Sequence, residues 1–423
     1  MDNTKTVSYR STIYACYLGN VVQAAVMNVT PILFIPLKEQ FGLSYSHLGI
    51  LVLVNFLTQV CCDILFSNAA DRYGFRRFIV CAPILATIGF ILFALSPILF
   101  PAHPFIGFLM ATVIFSGAGG LLELLLSPII NAIPSEEKTS AMSFLHAFYS
   151  WGQAAVILIT TLLLKILSRR AWMVIVLLWG IFPLIDAVLF SRVPLADGVP
   201  EERRLGMKKL LWNPIFLLCI VVIAAGGAAE NAVSQWASSY LERGIRLPKL
   251  FGDLVGGCGF ALTMGIGRTL YGKLGAKLNT AGVMQWGTAV LCFCFLLAAL
   301  SPLPWISLLA FALCGIAVSL LWPGTLLVAA DFFPLAGAWM FAILAAGGDI
   351  GSAFGVWLLG VIADWVPAVP ALHSAARFFG ITAEQMGLRA AILVGTVFPL
   401  IGFLSIWRLR KKKVCDTASD RKG

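Results

Sequence analysis

Residues 67–77 read SNAADRYGFRR, a short basic segment between two long apolar runs. Gly74 can adopt a turn conformation that other residues resist, and Asp71 can cap the helix that follows. Three basic side chains would hold this turn on the cytoplasmic face of a membrane, and they are Arg72, Arg76 and Arg77. The segment therefore predicts a tight cytoplasmic turn between two membrane-spanning helices.

The rest of the chain is as apolar as this pattern requires. Of its 423 residues, 60% are hydrophobic and 12% are charged, so a water-soluble core cannot bury its apolar surface. Twelve segments are long enough to cross a hydrocarbon layer of about 30 Å. They are 9–35, 46–66, 78–97, 105–131, 141–166, 172–191, 215–240, 252–270, 281–300, 304–330, 338–363 and 388–408. We expect helices, because the alternating pattern of a membrane barrel is absent.

Lysine and arginine are distributed unevenly among the predicted loops. With the N-terminus inside, most of the 30 lysines and arginines fall in cytoplasmic segments, and an even number of spans places the C-terminus there too. This bias and attraction to anionic lipid account for the net charge of +10 without nucleic acid as a partner. We expect a multi-pass protein of the cytoplasmic membrane with both termini in the cytoplasm.

A charged stretch divides the twelve spans into six and six. The predicted parts are an N-terminal six-helix bundle at 1–190, a cytoplasmic linker at 191–214, a C-terminal six-helix bundle at 215–409 and a basic cytoplasmic tail at 410–423. A weak repeat supports the division, because GKLGAKLN at 272–279 follows the eighth span as the basic turn follows the second. The second copy keeps a basic residue but lacks the acid and the final glycine.

The basic turn closely resembles the GxxxD-R-x-G-x-R/K-R/K signature of the major facilitator superfamily, with Ser67 in place of the first glycine. The resemblance implies an all-α membrane protein with twelve transmembrane helices in two pseudo-symmetric six-helix bundles. It also implies that substrate is held between the halves and that access alternates between the two sides of the membrane. We expect conformational gating by Asp71, Arg72, Gly74, Arg76 and Arg77. A simple orientation signal is the alternative.

Charged side chains deep in a membrane cost at least ~2.5 kcal/mol each, so they are candidates for function. Three carboxyl groups fall in the middle of predicted spans, and they belong to Glu123, Glu230 and Asp349. Asp63 and Asp186 lie close enough to the cytoplasmic ends to reach water, and Arg268 and Lys165 lie near span ends. We therefore expect no cation at the depth of Glu123. Such a carboxyl group can bind and release protons near neutral pH.

The segment GAGGLLELLLSP at 117–128 resembles the fourth span of the fucose permease-type sugar symporters. This resemblance implies that Glu123 takes part in proton coupling and sugar binding, and a structural hydrogen-bonded glutamate is the alternative. The first span departs from that family, because it has no acidic residue where the family has an aspartate. Glu230 is the candidate second coupling group; otherwise the coupling differs or is absent.

Polar faces identify the remaining candidates, because residues three, four and seven apart share one side of a helix. LHAFYSWGQ at 145–153 also resembles the fifth span of those permeases, and the segment around Glu230 resembles their seventh. The predicted substrate-binding residues are Asn20, Gln23, Asn28, Glu123, His146, Tyr149, Gln153, Glu230, Asn231, Gln235, Trp236 and Trp322. Helix packing is the alternative for His146, and placement at the membrane interface is the alternative for the tryptophans.

These features favour a secondary active transporter of a small polar solute, with a sugar as one candidate, coupled to protons through Glu123 and acting as a monomer. The sequence has no nucleotide-binding loop, no HExxH or GxSxG motif and no Cys/His spacing typical of a metal site, so we predict no enzyme activity, cofactor or metal. The alternatives are a proton-coupled exporter of a metabolite or drug, and a transport-inactive receptor or scaffold of the same fold.

Overall fold

A computed structural model describes residues 8–43, 45–134, 138–196, 210–247 and 252–419. Within these ranges the regular structure is helical throughout, with no β-strand. The prediction of an all-α protein is therefore confirmed.

Tertiary contacts divide the chain into two compact units. Unit 1 contains Met1–Gly206 and Leu335–Ala346, and unit 2 contains Met207–Pro334 and Gly347–Gly423. The helices up to residue 206 are α1 (Arg10–Ile32), α2 (Phe34–Phe41), α3 (Tyr45–Tyr73), α4 (Phe75–Leu99), α5 (Pro104–Ala132), α6 (Lys138–Leu167), α7 (Trp172–Trp179) and α8 (Ile181–Arg192). A 3-10 turn at Arg169–Ala171 precedes α7.

The helices after residue 206 are α9 (Pro214–Ser239), α10 (Phe260–Leu274), α11 (Thr280–Leu300), α12 (Pro304–Val318), α13 (Leu321–Phe332), α14 (Ala338–Ala368), α15 (Pro370–Phe378), α16 (Ala383–Gly395) and α17 (Val397–Ser419). Two π-helical segments, Tyr240–Gly244 and Gly252–Gly259, follow α9 and precede α10. A 3-10 turn at Gly275–Lys277 follows α10.

Each of the twelve predicted spans overlaps one helix or two helical segments in succession, which is consistent with the predicted number of spans. In the described ranges, nine helical segments are long and apolar enough to cross a membrane. The other three predicted spans correspond to α1, α3 and the π-helical segment joined to α10. The first of these carries the polar residues of the predicted site, which lower its mean hydropathy.

Local sequence explains where several helices begin. Asn213 accepts a hydrogen bond from the backbone N–H of Ile215 at 2.8 Å and precedes a proline at the first position of α9. Thr382 and Gln385 form a capping box at the start of α16. These side chains bind backbone N–H groups that have no partner within their own helix.

Each unit has its own packed interior. In unit 1 the aromatic rings of Phe93 and Phe108 lie 4.9 Å apart, and Trp172 is fully buried against both. In unit 2, α9 and α14 approach closely at glycines, because a Cβ atom on Gly227 would lie 2.4 Å from the carbonyl oxygen of Gly348. These close contacts fix the faces of the helices that carry the candidate site residues.

Candidate functional site

In unit 1, a hydrogen bond joins two residues predicted to bind substrate. Gln23 on α1 donates from Nε2 to Oε2 of Glu123 on α5 at 2.8 Å. Gln23 is buried and Glu123 is half-buried. Because the Gln23 amide is neutral, it orients the carboxyl group without supplying a positive charge that would hold it ionised.

Further polar contacts connect α1 with α6. Asn20 donates to the carbonyl oxygen of Leu145 at 2.6 Å, and Gln153 donates to Oδ1 of Asn28 at 3.4 Å. Asn28 in turn donates to the carbonyl oxygen of Ala24 at 2.9 Å within its own helix. The structure therefore brings the three predicted amide side chains of α1 to the helices that carry Glu123 and Gln153.

The polar face predicted for α6 is turned towards α5, the helix that carries Glu123. His146 Nε2 is 3.5 Å from Oγ of Ser127 on α5, so the imidazole also faces the helix of Glu123. Tyr149 is half-buried and lies about one helical turn from both His146 and Gln153. We define the unit 1 polar cluster as Asn20, Gln23, Asn28, Glu123, His146, Tyr149 and Gln153.

In unit 2, a buried arginine binds the second candidate carboxyl group. Arg268 on α10 lies with Nη2 3.1 Å from Oε2 and 3.4 Å from Oε1 of Glu230 on α9. Its Nε donates to the carbonyl oxygen of Ser319 at 2.9 Å, and the arginine side chain is 2% exposed. The expectation that Arg268 lies at a span end was wrong, because six further helical residues follow it before α10 ends at Leu274.

The other predicted residues of unit 2 differ in their surroundings. Asn231 donates to Oγ of Ser352 on α14 at 2.9 Å. Trp322 packs over Gly348, and Trp236 donates from its indole nitrogen to a backbone carbonyl of α14, that of Val356, at 3.1 Å. The side chain of Gln235 is exposed.

The basic turn has the geometry that its glycine predicts. Gly74 has φ 83° and ψ 151° and lies at the N-cap of α4, in a region of backbone conformation open mainly to glycine. Arg76 donates to the carbonyl oxygens of Phe190, Ser191 and Val193 at 3.1, 3.3 and 2.8 Å, where α8 ends. These are carbonyl groups that a helix end leaves without intrahelical partners.

The structure describes the side chains of only some of the other residues of the basic turn. Arg77 is exposed. Asp71 and Arg72 belong to α3, and their side chains lie outside the described part of the structure. The N-cap position of α4, for which we expected Asp71, is occupied by Gly74.

One carboxyl group lies in a different environment from the one its sequence position suggests. Asp186 on α8 was expected to reach water, but its side chain is 0% exposed. The expectation was wrong because α8 turns this side chain inward, towards Gly19 on α1. An acidic residue on a face otherwise made of Pro183, Ala187 and Phe190 was the available sequence signal.

Comparisons with known proteins agree with this fold. The profile of the Major Facilitator Superfamily matches residues 16–257, more than half of the chain. The chain belongs to the major facilitator superfamily. Members of this family are membrane transporters, so the predictions of a multi-pass membrane protein and of no enzyme activity are confirmed.

Solved structures share the fold along almost the whole chain. A single-residue variant of the Escherichia coli fucose:proton symporter FucP aligns with a TM-score of 0.72 and 14% identity over 95% of this chain and 99% of its own. The proton:xylose symporter XylE bound to 6-bromo-6-deoxy-D-glucose aligns with a TM-score of 0.76 and 16% identity over 94% and 95% of the two chains. At these identities the likeness shows the fold alone.

A curated relative matches at higher identity over a shorter stretch. The probable 4-methylmuconolactone transporter of Cupriavidus pinatubonensis is 28% identical over 197 residues, which are 46% of this chain and 44% of that protein. The match therefore spans less than half the length of either protein.

Proposed function

We propose that this protein is a secondary active transporter that moves a small polar solute across the cytoplasmic membrane by alternating access and is coupled to protons through Glu123. The observation that carries the proposal is the hydrogen bond from Gln23 to Glu123 within the unit 1 polar cluster. A neutral amide holds the carboxyl group in place in either protonation state, because the carboxyl oxygen accepts the bond in both.

The unit 1 polar cluster also supports a hydrogen-bonding solute. Amide, imidazole and phenol groups on α1 and α6 can donate and accept hydrogen bonds, which suits the hydroxyl groups of a sugar. In unit 2, the half-buried indole of Trp322 can provide an apolar platform for a sugar ring. A sugar is therefore our first substrate class, as it is for the structural neighbours named as fucose and xylose symporters.

A second substrate class is small lactones and organic acids. The relative from Cupriavidus is named as a probable transporter of a lactone. In unit 2, Arg268 offers a guanidinium that a carboxylate-bearing solute could bind in competition with Glu230. With either substrate class Glu123 couples transport to protons, but only with the second class does Arg268 bind the solute.

Orientation follows from the charge bias, with both termini in the cytoplasm. The basic turn then lies on the cytoplasmic side, where Arg76 links the start of α4 to the end of α8. We propose that this link, together with Asp71, Arg72, Gly74 and Arg77, gates the exchange between inward-open and outward-open states.

The test is uptake into vesicles that contain the purified full chain, with radiolabelled fucose, xylose and 4-methylmuconolactone as probes. With one proton per solute, accumulation should reach about tenfold per pH unit of gradient. Glu123→Gln should abolish gradient-driven accumulation, whereas Glu384→Gln, which changes an exposed carboxyl group, should retain it. Wild-type accumulation by the Glu123→Gln variant would remove the proposed role, and accumulation driven only by the reversed gradient would indicate an exporter.

A further inference from the structure

Asp186 is a buried carboxyl group that the proposed coupling does not use. Its side chain on α8 is 0% exposed, and neither carboxyl oxygen has a hydrogen-bond partner among the residues that the structure describes. An ionised carboxylate in such a place is strongly unfavourable, and burying the neutral acid costs much less. Burial and missing hydrogen bonds together therefore point to a carboxyl group that carries a proton.

Three helices meet at this carboxyl group. A Cβ atom on Gly19 of α1 would lie 3.3 Å from Oδ2 of Asp186 and 3.0 Å from a side-chain carbon of Leu126 on α5. Gly19 therefore lets α5 and α8 approach α1 at one level. A larger residue at position 19 would press on both neighbours.

The same helices carry the Gln23–Glu123 pair. Gln23 follows Gly19 by four residues, and Glu123 precedes Leu126 by three, so each step is about one helical turn, or ~5–6 Å. Asp186 thus lies one layer away from Glu123. Asp186 is displaced from Glu123 towards the end of unit 1 at which α1 begins and both α5 and α8 end.

Charged and titratable groups around Asp186 come from three neighbouring helices, and the one on α5 is Glu123, one layer away. From α1, the buried thiol of Cys16 lies close enough to interact electrostatically with the carboxyl group. From α4, the guanidinium of Arg76 binds the carbonyl oxygens at the end of α8. The α7 sequence WMVIVLLW contains no titratable residue, and Arg192 on α8 itself is exposed.

We propose that Asp186 is a second proton-binding group, protonated in the conformation described here and placed to pass protons between Glu123 and the cytoplasm. The proposal rests on the proposed coupling through Glu123. When the cytoplasmic ends of α1, α5 and α8 separate and admit water, the acid form of Asp186 releases its proton to the cytoplasm and becomes a carboxylate. That carboxylate then accepts the proton of Glu123, so that one proton leaves Glu123 and one enters the cytoplasm.

The first test needs no substrate. Infrared difference spectra of the purified full chain, recorded across a pH titration, detect the carbonyl stretch of a protonated carboxylic acid. We expect a band at neutral pH that disappears in Asp186→Asn and remains in Glu384→Gln. Gly19→Ala keeps the carboxyl group but presses on it, so the band should shift. Identical spectra for the wild type and Asp186→Asn would overturn the proposal. If Asp186→Asn does not fold, a band in Gly19→Ala at the wild-type position would overturn it instead.

The second test separates this proposal from the proposed function. It uses whichever of fucose, xylose and 4-methylmuconolactone the wild type accumulates in vesicles. Asp186→Asn should lose the gradient-driven accumulation of about tenfold per pH unit, while exchange of the probe without a gradient persists. If Asp186→Asn accumulates the probe like the wild type while Glu123→Gln does not, the role of Asp186 is overturned and the coupling through Glu123 stands. Wild-type accumulation by Glu123→Gln would instead refute the proposed coupling, and the infrared result would still decide whether Asp186 holds a proton.

Discussion

The ion pair between Arg268 and Glu230 gives the sharpest prediction about the stability of unit 2. The two side chains are 2% and 12% exposed, and the shortest distance between them is 3.1 Å. Removing one partner of a buried pair costs about 3–5 kcal/mol, because the other charge stays buried without compensation. Glu230 keeps some exposure, so we place the cost of losing its arginine at about 3 kcal/mol, the lower end of that range.

Arg268→Met carries an additional loss. The Nε of Arg268 also donates to the carbonyl oxygen of Ser319 at 2.9 Å, and such a hydrogen bond contributes about 1 kcal/mol. We therefore expect Arg268→Met to destabilise the protein by about 4 kcal/mol in total. The double variant Glu230→Gln with Arg268→Met leaves no unpaired charge, so it should recover about 1–3 kcal/mol of that loss.

The assay is unfolding of the purified protein in detergent, followed by tryptophan fluorescence, for the wild type, both single variants and the double variant. The matched control is the exposed pair of Arg243 and Glu384, which lie 3.8 Å apart with side chains 69% and 62% exposed. Arg243→Met should change stability by less than about 1 kcal/mol. The reasoning is refuted if Arg268→Met and Arg243→Met unfold alike, or if the double variant is no more stable than Arg268→Met.

Two glycine substitutions test the basic turn and the contact of Trp322. Gly74→Ala forces a side chain into a conformation with φ 83° and ψ 151°, so it should cost about 1–3 kcal/mol in the same unfolding assay. Gly117→Ala, where a Cβ would meet only ordinary contacts at 3.8 and 3.9 Å, should be near neutral, and equal effects of the two would contradict the strain argument. Gly348→Ala places a Cβ 2.4 Å from a ring carbon of Trp322, so it should cost about 1–3 kcal/mol and raise the probe concentration needed for half-maximal uptake. Gly257→Ala meets nothing within 4 Å and serves as its control; an unchanged half-maximal concentration in Gly348→Ala would separate Trp322 from substrate binding.

The helical spans were predictable because membrane insertion depends on length and hydropathy, which are local properties. The same holds for Gly74, since a glycine in a short basic turn predicts a conformation that other residues resist, and the structure has φ 83° there. The basic turn and the spans around it are therefore visible in a few consecutive residues. Predicting them requires no knowledge of distant parts of the chain.

The partner of Glu230 was not predictable in the same way. Arg268 lies 38 residues further along the chain, and the pairing depends on which faces of α9 and α10 meet. Distance from the end of a predicted span also proved a poor measure of burial, because α10 continues to Leu274 and Asp186 turns inward. A rule based on depth alone therefore misplaced both residues. The helix faces, rather than the positions along the helices, decided their environments.

The hydrogen bonds described for the two candidate carboxyl groups come from donors of different charge. Glu123 receives a hydrogen bond from a neutral amide, which survives protonation of the carboxyl group. Glu230 faces a guanidinium, and protonation would remove the attraction that holds Arg268 while leaving that cation buried. This difference is why we propose proton coupling through Glu123 and, for the second substrate class, binding of a charged solute by Arg268.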